Sequence, residues 1–126
     1  MQTEKPIQLK YVIQKHQATH LHWDLRLEQD GVLKSWACPK EPTMDPSVKR
    51  LLIQVDDHDL SYGDFHGTGE GGDIVEIWDS GTYTLIDEKP SKWIVDIQGK
   101  RLQGEFVILK FEKAGKKEWL FFKKKN

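Results

Sequence analysis

His22, Asp24 and Arg26 stand two residues apart in Leu21-His22-Trp23-Asp24-Leu25-Arg26-Leu27-Glu28, a run that alternates between apolar and polar side chains. A β-strand sends successive side chains to opposite faces. One face therefore carries Leu21, Trp23, Leu25 and Leu27, and the other carries His22, Asp24, Arg26 and Glu28. At a rise of about 3.3 Å per residue, imidazole, carboxylate and guanidinium form a row with steps of about 7 Å. Two metal-ligand types followed by a phosphate-binding cation imply a metal-dependent site acting on phosphate esters.

Other residues compete for places around this row. His16, in Gln14-Lys15-His16-Gln17, ends a first strand-like run, and a turn after it would fold it over the His22/Asp24 face. His20 shares the alternating face of His22 and is a rival ligand. Imidazole and carboxylate together suit Mn²⁺, Zn²⁺ or Fe²⁺, and three ligands leave positions open for substrate and water. His58 follows the Leu51 to Asp56 run among Asp56, Asp57 and Asp59, in a loop that also brings Tyr62. Carboxylate neighbours favour an imidazolium, which suits phosphate binding or general-acid chemistry. The planar fork of Arg26 makes it the best phosphate clamp in the chain. Gly67-Thr68-Gly69-Glu70-Gly71-Gly72 lacks the lysine and hydroxyl of a P-loop and the spacing of a dinucleotide fingerprint, so it is expected to be a hairpin beside the site.

These side chains are positioned by short strands. Leu9 to Lys15, the His22 run, Val32 to Ala37, Leu51 to Asp56, Ile74 to Trp78, Thr82 to Ile86, Trp93 to Gln98, Glu105 to Phe111 and Glu118 to Phe122 all have strand character. Asp30-Gly31 is a hairpin signal, and Asp45-Pro46 suggests one short helical turn within a proline loop. No segment keeps a helical apolar period beyond two turns, so the expected fold is mainly all-β, a single-domain barrel over residues 1–126 with one or two short helical turns. The five tryptophans fall in strands and are expected in the core.

A chain of 126 residues fits one domain. Nothing approaches the roughly 18 apolar residues of a membrane span, and Met1 to Pro6 has no apolar leader, so a cytoplasmic location is expected. Cys38 stands alone and is expected to be buried and inert. The net charge of −1 divides unevenly: from Lys100 onward nine basic and three acidic residues give +6, leaving −7 for the first 99 residues. That basic segment is either a nucleic-acid track or a solvated hairpin and tail.

The motifs together resemble a known family. Tyr11-Val12-Ile13-Gln14-Lys15-His16, Ala18-Thr19, Leu21 to Glu28, Gly31 to Ala37, Pro39-Lys40, Asp45-Pro46 and Lys49-Arg50-Leu51 resemble the 3′-phosphoesterase domain of bacterial DNA ligase D. So do Asp57-His58 with Tyr62, Phe65 and Gly67, then Ile77-Trp78-Asp79 with Gly81-Thr82-Tyr83, and finally Trp119-Leu120 with Lys123. The resemblance implies a β-barrel with a Mn²⁺-dependent site that trims 3′ ends at breaks, with Co²⁺ or Zn²⁺ as other ions for that site. A terminal ribonucleoside would be removed to leave a 3′-phosphate, which would then be hydrolysed to a 3′-hydroxyl. By this resemblance His16, His22 and Asp24 match the metal ligands, and Arg26, His58 and Tyr62 match contacts to the scissile phosphate. Arg50 and Asp56 match supporting positions. His20 stands where many relatives carry arginine, the Gly67 to Gly72 loop is short, and the long N-terminal arm of bacterial relatives is mostly absent. Implied partners are DNA or DNA/RNA primer-template 3′ ends and a separate ligase, polymerase or end-binding protein, with the chain itself a monomer.

Two rivals follow from the same residues. His22-x-Asp24 with distant His58 imitates the ligand triad of non-haem Fe(II) oxygenases, although no arginine follows His58 at a useful distance. A cupin reading from His20-x-His22 fails on the position of Glu28. The non-enzymatic rival is a barrel that only binds nucleic-acid ends through its basic segment.

Overall fold

The computed structural model describes residues 7–125, without the side chain of Glu70. Expectations resting on the first six residues lie outside it. The strands are β1 (Gln8–Gln17), β2 (His22–Gln29), β3 (Val32–Cys38), β4 (Arg50–Asp59), β5 (Gly67–Thr68), β6 (Ile74–Lys89), β7 (Lys92–Gln98), β8 (Gln103–Lys110) and β9 (Glu118–Lys123). Two 3-10 turns, Leu60–Asp64 and Glu70–Gly72, flank β5. All pairings are antiparallel, in the order β1-β2-β3-β4-β9-β8-β7-β6, and β1 also pairs with β6. That last pairing closes an eight-stranded barrel, leaving the two-residue β5 as a flap on the start of β6. The expected all-β barrel is therefore formed. No helix of the described residues is long and apolar enough to cross a membrane.

Inward-facing residues of alternate positions build one core. Tyr11 and Ile13 from β1, Trp23, Leu25 and Leu27 from β2, and Trp36 from β3 meet Trp93, Phe106, Trp119 and Phe121 from the far wall. Trp36 is 1% exposed and packs edge-on against Trp93 and Trp119, with ring centroids 5.7 and 6.2 Å away. Four of the five tryptophans are buried as expected, while Trp78 is partly exposed beneath the Arg101 guanidinium. Cys38 is buried in the same core, and burial pushes its thiol up to about 11, so it is inert as expected.

Three elements differ from the sequence expectation. The Ile74 and Thr82 runs are one 16-residue strand, β6. Its pairing with β1 skips Trp78, since Ile13 faces Asp79 while Gln14 faces Ile77, and this bulge lets the strand bend around the barrel. Within it, a Cβ at Gly81 would collide with the Gln98 carbonyl. The glycine admits the backbone of a neighbouring strand rather than ending its own. Asp45-Pro46 starts a hydrogen-bonded turn, Val48 N–H to Asp45 O at 3.1 Å, and not a helix. Its Asp45 carboxylate accepts from the Ser47 N–H and hydroxyl, so the side chain reinforces the turn. The expected short helical turns occur instead on either side of β5. Finally, β4 runs through Asp59, so His58 lies within a strand and not in a loop beyond one.

Asp79 locks the seam where the barrel closes. It is 3% exposed and accepts hydrogen bonds from the Tyr11 hydroxyl at 2.8 Å and from the N–H groups of Lys100, Arg101 and Leu102. Burial, reinforced by this carboxylate, pushes the Tyr11 phenol well above its ordinary range.

Candidate metal and phosphate site

The polar row of β2 lies on the outer wall of the barrel. Tyr11 and Ile13 of β1 point inward with Trp23 and Leu25 of β2, so Gln14 and His16 point outward with His22, Asp24 and Arg26. The register sets His16 opposite His22 and Gln14 opposite Asp24. The bend over residues 18–20 thus folds His16 over the cluster as expected, and makes it the cross-strand neighbour of His22. Leu33 also faces outward yet is fully buried, with Gly63 of the Leu60–Asp64 turn packed against it.

The three expected ligands converge. One donor atom from each of His16, His22 and Asp24 lies within 4.8 Å of the others. His16 Nδ1 is 3.6 Å from Asp24 Oδ2, and His22 Nε2 is 3.3 Å from Asp24 Oδ1. His22 Nδ1 donates to the His20 carbonyl at 2.9 Å, so the neutral ring presents the Nε2 lone pair to the site. The hydrogen bond with Asp24 raises the His22 pKa, with burial opposing it. Two imidazole nitrogens and a carboxylate oxygen on one face fit a borderline divalent ion with coordination positions left over. His20 itself is exposed and its ring is not in the cluster; its contribution is the carbonyl that orients His22.

Arg26 is 4% exposed and almost fully committed. Its Nε donates to Gln14 Oε1 at 2.6 Å, and its Nη1 donates to Ser35 Oγ at 2.7 Å and to His58 Nδ1 at 3.1 Å. Nη2 is the nitrogen left to face Asp24, 3.5 Å from its Oδ2, with the Tyr62 side chain also bearing on the guanidinium. The fork expected from sequence is therefore spent on the protein, leaving one arm for an anion. Burial lowers the Arg26 pKa, and the Asp24 charge opposes that shift.

A second bulge aims His58. On β3 two steps separate Ser35 from Leu33, whereas on β4 three separate their partners Val55 and His58. The extra residue flips the alternation and places His58 on the same wall as Arg26. Its ring lies 4.8 Å from that of Tyr62, which stacks on Phe65 at 5.5 Å and sits under the Arg26 guanidinium at 4.8 Å. His58 Nδ1 is also 3.1 Å from the Asp56 carbonyl. One ring nitrogen cannot accept from Arg26 and donate to Asp56 at once. Arg26 always carries its proton, so the neutral His58 accepts at Nδ1 and holds its own proton on Nε2. Asp56 enters only through its backbone; its side chain is exposed.

Two further placements bear on the site. Arg50 is not brought to the cluster: it opens β4 opposite Phe121, and its Nε braces the proline loop through the Glu41 carbonyl at 2.7 Å. The oxygenase-like set of His22, Asp24 and His58 is not assembled, because the second imidazole beside Asp24 is His16 and His58 is turned to Arg26.

Three residues of the site were missed. Gln14 is wholly buried, and its Nε2 donates to the carbonyls of Tyr62 and Phe65 at 2.8 and 3.0 Å while its Oε1 holds Arg26. Ser35 is the second brace of Arg26. Asp73, just past the glycine-rich segment, binds His16 Nε2 through Oδ2 at 2.5 Å. Period-two alternation marks Gln14 as sharing the face of His16, which was the available signal.

A family profile described as the DNA ligase D 3′-phosphoesterase domain matches residues 14–110. The chain belongs to this family. The multifunctional non-homologous end joining protein LigD of Pseudomonas aeruginosa is 41% identical over 129 residues, covering 94% of this chain and 15% of that protein. The multifunctional non-homologous end joining DNA repair protein LigD of Mycobacterium tuberculosis is 40% identical, covering 92% and 16% respectively. The protein of that type from Mycolicibacterium smegmatis is 37% identical, covering 93% and 17%. The chain thus corresponds to a small part of each relative. The 3′-phosphoesterase match begins at Gln14 and takes in every residue of the cluster described above.

Proposed function

We propose that this chain is a Mn²⁺-dependent 3′-end-healing phosphoesterase that acts as one unit on DNA or DNA/RNA primer-template ends. It removes a 3′-phosphate, and also a 3′-terminal ribonucleoside, to leave a 3′-hydroxyl for a separate ligase or polymerase in break repair. The observation that carries this reading is the abutment of two half-sites on one wall. The His16/His22/Asp24 donor set touches the phosphate half-site of Arg26, His58 and Tyr62 through the 3.5 Å approach of Arg26 to Asp24. Family membership supports the same chemistry.

His16, His22 and Asp24 would hold the ion, with Co²⁺ or Zn²⁺ as other acceptable occupants. The chemistry a divalent ion supplies there is Lewis acidity toward a phosphoryl oxygen. The protein supplies the rest. Nη2 of Arg26 meets a second phosphoryl oxygen, and its guanidinium is already oriented by Gln14 and Ser35, so little reorganisation accompanies charge development. His58, held by the Arg26 bond with a proton on Nε2, offers a hydrogen bond to the leaving oxygen. Tyr62 walls the phosphate half-site and adds a hydroxyl donor.

The test is incubation with primers ending in a 3′-phosphate or in one ribonucleotide, with Mn²⁺ and with chelator. Metal-dependent release of phosphate by wild type, lost in His22→Ala while primer binding persists, is the expected result. A His22→Ala protein that binds ends and matches wild-type repair output would favour the end-binding barrel instead.

A further inference from the structure

Both imidazoles of the cluster present one nitrogen to Asp24, which leaves the other nitrogen of each to be held by something else. For His22 that partner is the His20 carbonyl. For His16 it is the carboxylate of Asp73, on Nε2, while Nδ1 faces Asp24 at 3.6 Å. We infer that Asp73 is a positioning residue of the metal centre: it fixes the rotation and tautomer of His16 so that Nδ1 carries the lone pair toward the cation. This rests on the phosphoesterase reading only for the ion's purpose, not for its seat.

Three features support the assignment. Asp73 precedes β6, whose Val75 is the register partner of His16, so the pairing of β1 with β6 delivers the carboxylate to that ring. The glycine-rich segment is built around it: Gly69 N–H donates to the Asp73 carbonyl at 2.8 Å. A Cβ on Gly69 would lie 2.7 and 3.0 Å from the two Asp73 carboxylate oxygens, so the carboxylate would have to shift. Within the Gly67 to Gly72 segment, which matches no nucleotide-binding pattern, Gly69 leaves room for one carboxylate behind one ligand.

A carboxylate behind a ligating histidine raises the basicity of the ligand and stops its ring from turning, and removing such a partner typically weakens metal binding by about 10- to 100-fold. Asp73 is kept apart from the ligands themselves because its oxygen already occupies the nitrogen that points away from the ion.

The experiment titrates the whole chain with Mn²⁺ and follows loss of the free-ion paramagnetic resonance signal. Thermal midpoints in chelator are measured for the same proteins. Asp73→Ala is expected to lose about 10- to 100-fold in Mn²⁺ affinity, and Asp73→Asn, which keeps an acceptor oxygen for Nε2–H, to recover part of that loss. Gly69→Ala displaces the carboxylate without removing it and is expected to weaken binding in the same direction. Metal-free thermal midpoints should stay at the wild-type value, since Asp73 sits at the surface. Affinity within about twofold of wild type in Asp73→Ala overturns the inference. So does a loss of affinity matched by a fall in the metal-free midpoint, because Asp73 would then be holding the loop and not the ligand. Wild-type protein that binds Mn²⁺ yet leaves a 3′-phosphate primer intact defeats the phosphoesterase reading and leaves this one standing.

Discussion

Nη1 of Arg26 donates to Nδ1 of His58 across 3.1 Å, from the centre of β2 to the bulged end of β4. This bond decides which nitrogen of His58 carries a proton, and so makes His58 a donor at the ring edge turned away from Arg26.

Replacing His58 by alanine should therefore lower turnover of a 3′-phosphate primer by a factor on the order of 10² to 10⁴. Mn²⁺ affinity should stay near wild type, since His58 is outside the donor cluster. Rate measurements beside a metal titration decide the matter. A variant that loses its metal would make His58 a ligand.

Arg26→Lys preserves charge and should still fail. An ammonium cannot donate at once to Gln14, Ser35 and His58 while offering a further N–H to phosphate in the plane set by those bonds. Loss of turnover by a factor of about 10² or more is expected, with weaker binding of inorganic phosphate. Gln14→Ala should show a related defect for a different reason. It strips the acceptor from buried Arg26 Nε, an unpaired group costing roughly 1–3 kcal/mol, and the donor from the part-buried Phe65 carbonyl, while the Tyr62 carbonyl keeps the Phe65 N–H. Denaturant unfolding should record the stability loss. Unchanged kinetics in Gln14→Ala would show that Arg26 needs no such brace.

Much of this site is legible before any coordinates. The alternation from Leu21 to Glu28 gives the face, and Asp30-Gly31 gives a two-residue hairpin, whose partners must have numbers summing to 61. Arg26 then falls opposite Ser35 and Asp24 opposite Ala37, as found. What stays hidden depends on register that local pattern does not specify. The turn between β1 and β2 does not announce that His16 faces His22, and nothing around Asp56 and Asp57 announces the bulge that aims His58. Asp73 lies 57 positions from His16 along the chain and is joined to it only by barrel closure. Arg50 matches the family motif, and its Nε bond to the Glu41 carbonyl of the proline loop is likewise not announced by the local sequence.

Asp79 belongs to the same set of family-like motifs but serves the fold. Its carboxylate satisfies one hydroxyl and three backbone N–H groups at the barrel seam. Asp79→Ala leaves the Tyr11 hydroxyl and the Leu102 N–H buried without an acceptor, so a loss of about 3 kcal/mol is expected from these two groups. Mn²⁺ affinity of the fraction that remains folded should match wild type. Specific loss of metal binding in a stably folded Asp79 variant would move this residue from the seam to the site.

Proton and metal compete for His22, and the sign of the competition follows from its neighbours. The Asp24 hydrogen bond raises the His22 pKa above the ordinary 6.5 in the metal-free protein, against the pull of burial. A raised imidazole pKa means that the charged pair stabilises the metal-free fold below the unfolded-state value. That contribution fades as pH climbs through the folded one. Metal needs the neutral ring, so Mn²⁺ affinity should rise over the same window, by about tenfold per pH unit while one proton is displaced. Between about pH 6 and about pH 8 the His22 contribution to the metal-free thermal midpoint should therefore fall, while the stabilisation added by Mn²⁺ grows. Nuclear magnetic resonance of the metal-free protein should place the His22 midpoint above 6.5. A midpoint below that value would mean that burial outweighs Asp24, and the affinity profile would shift to lower pH with it.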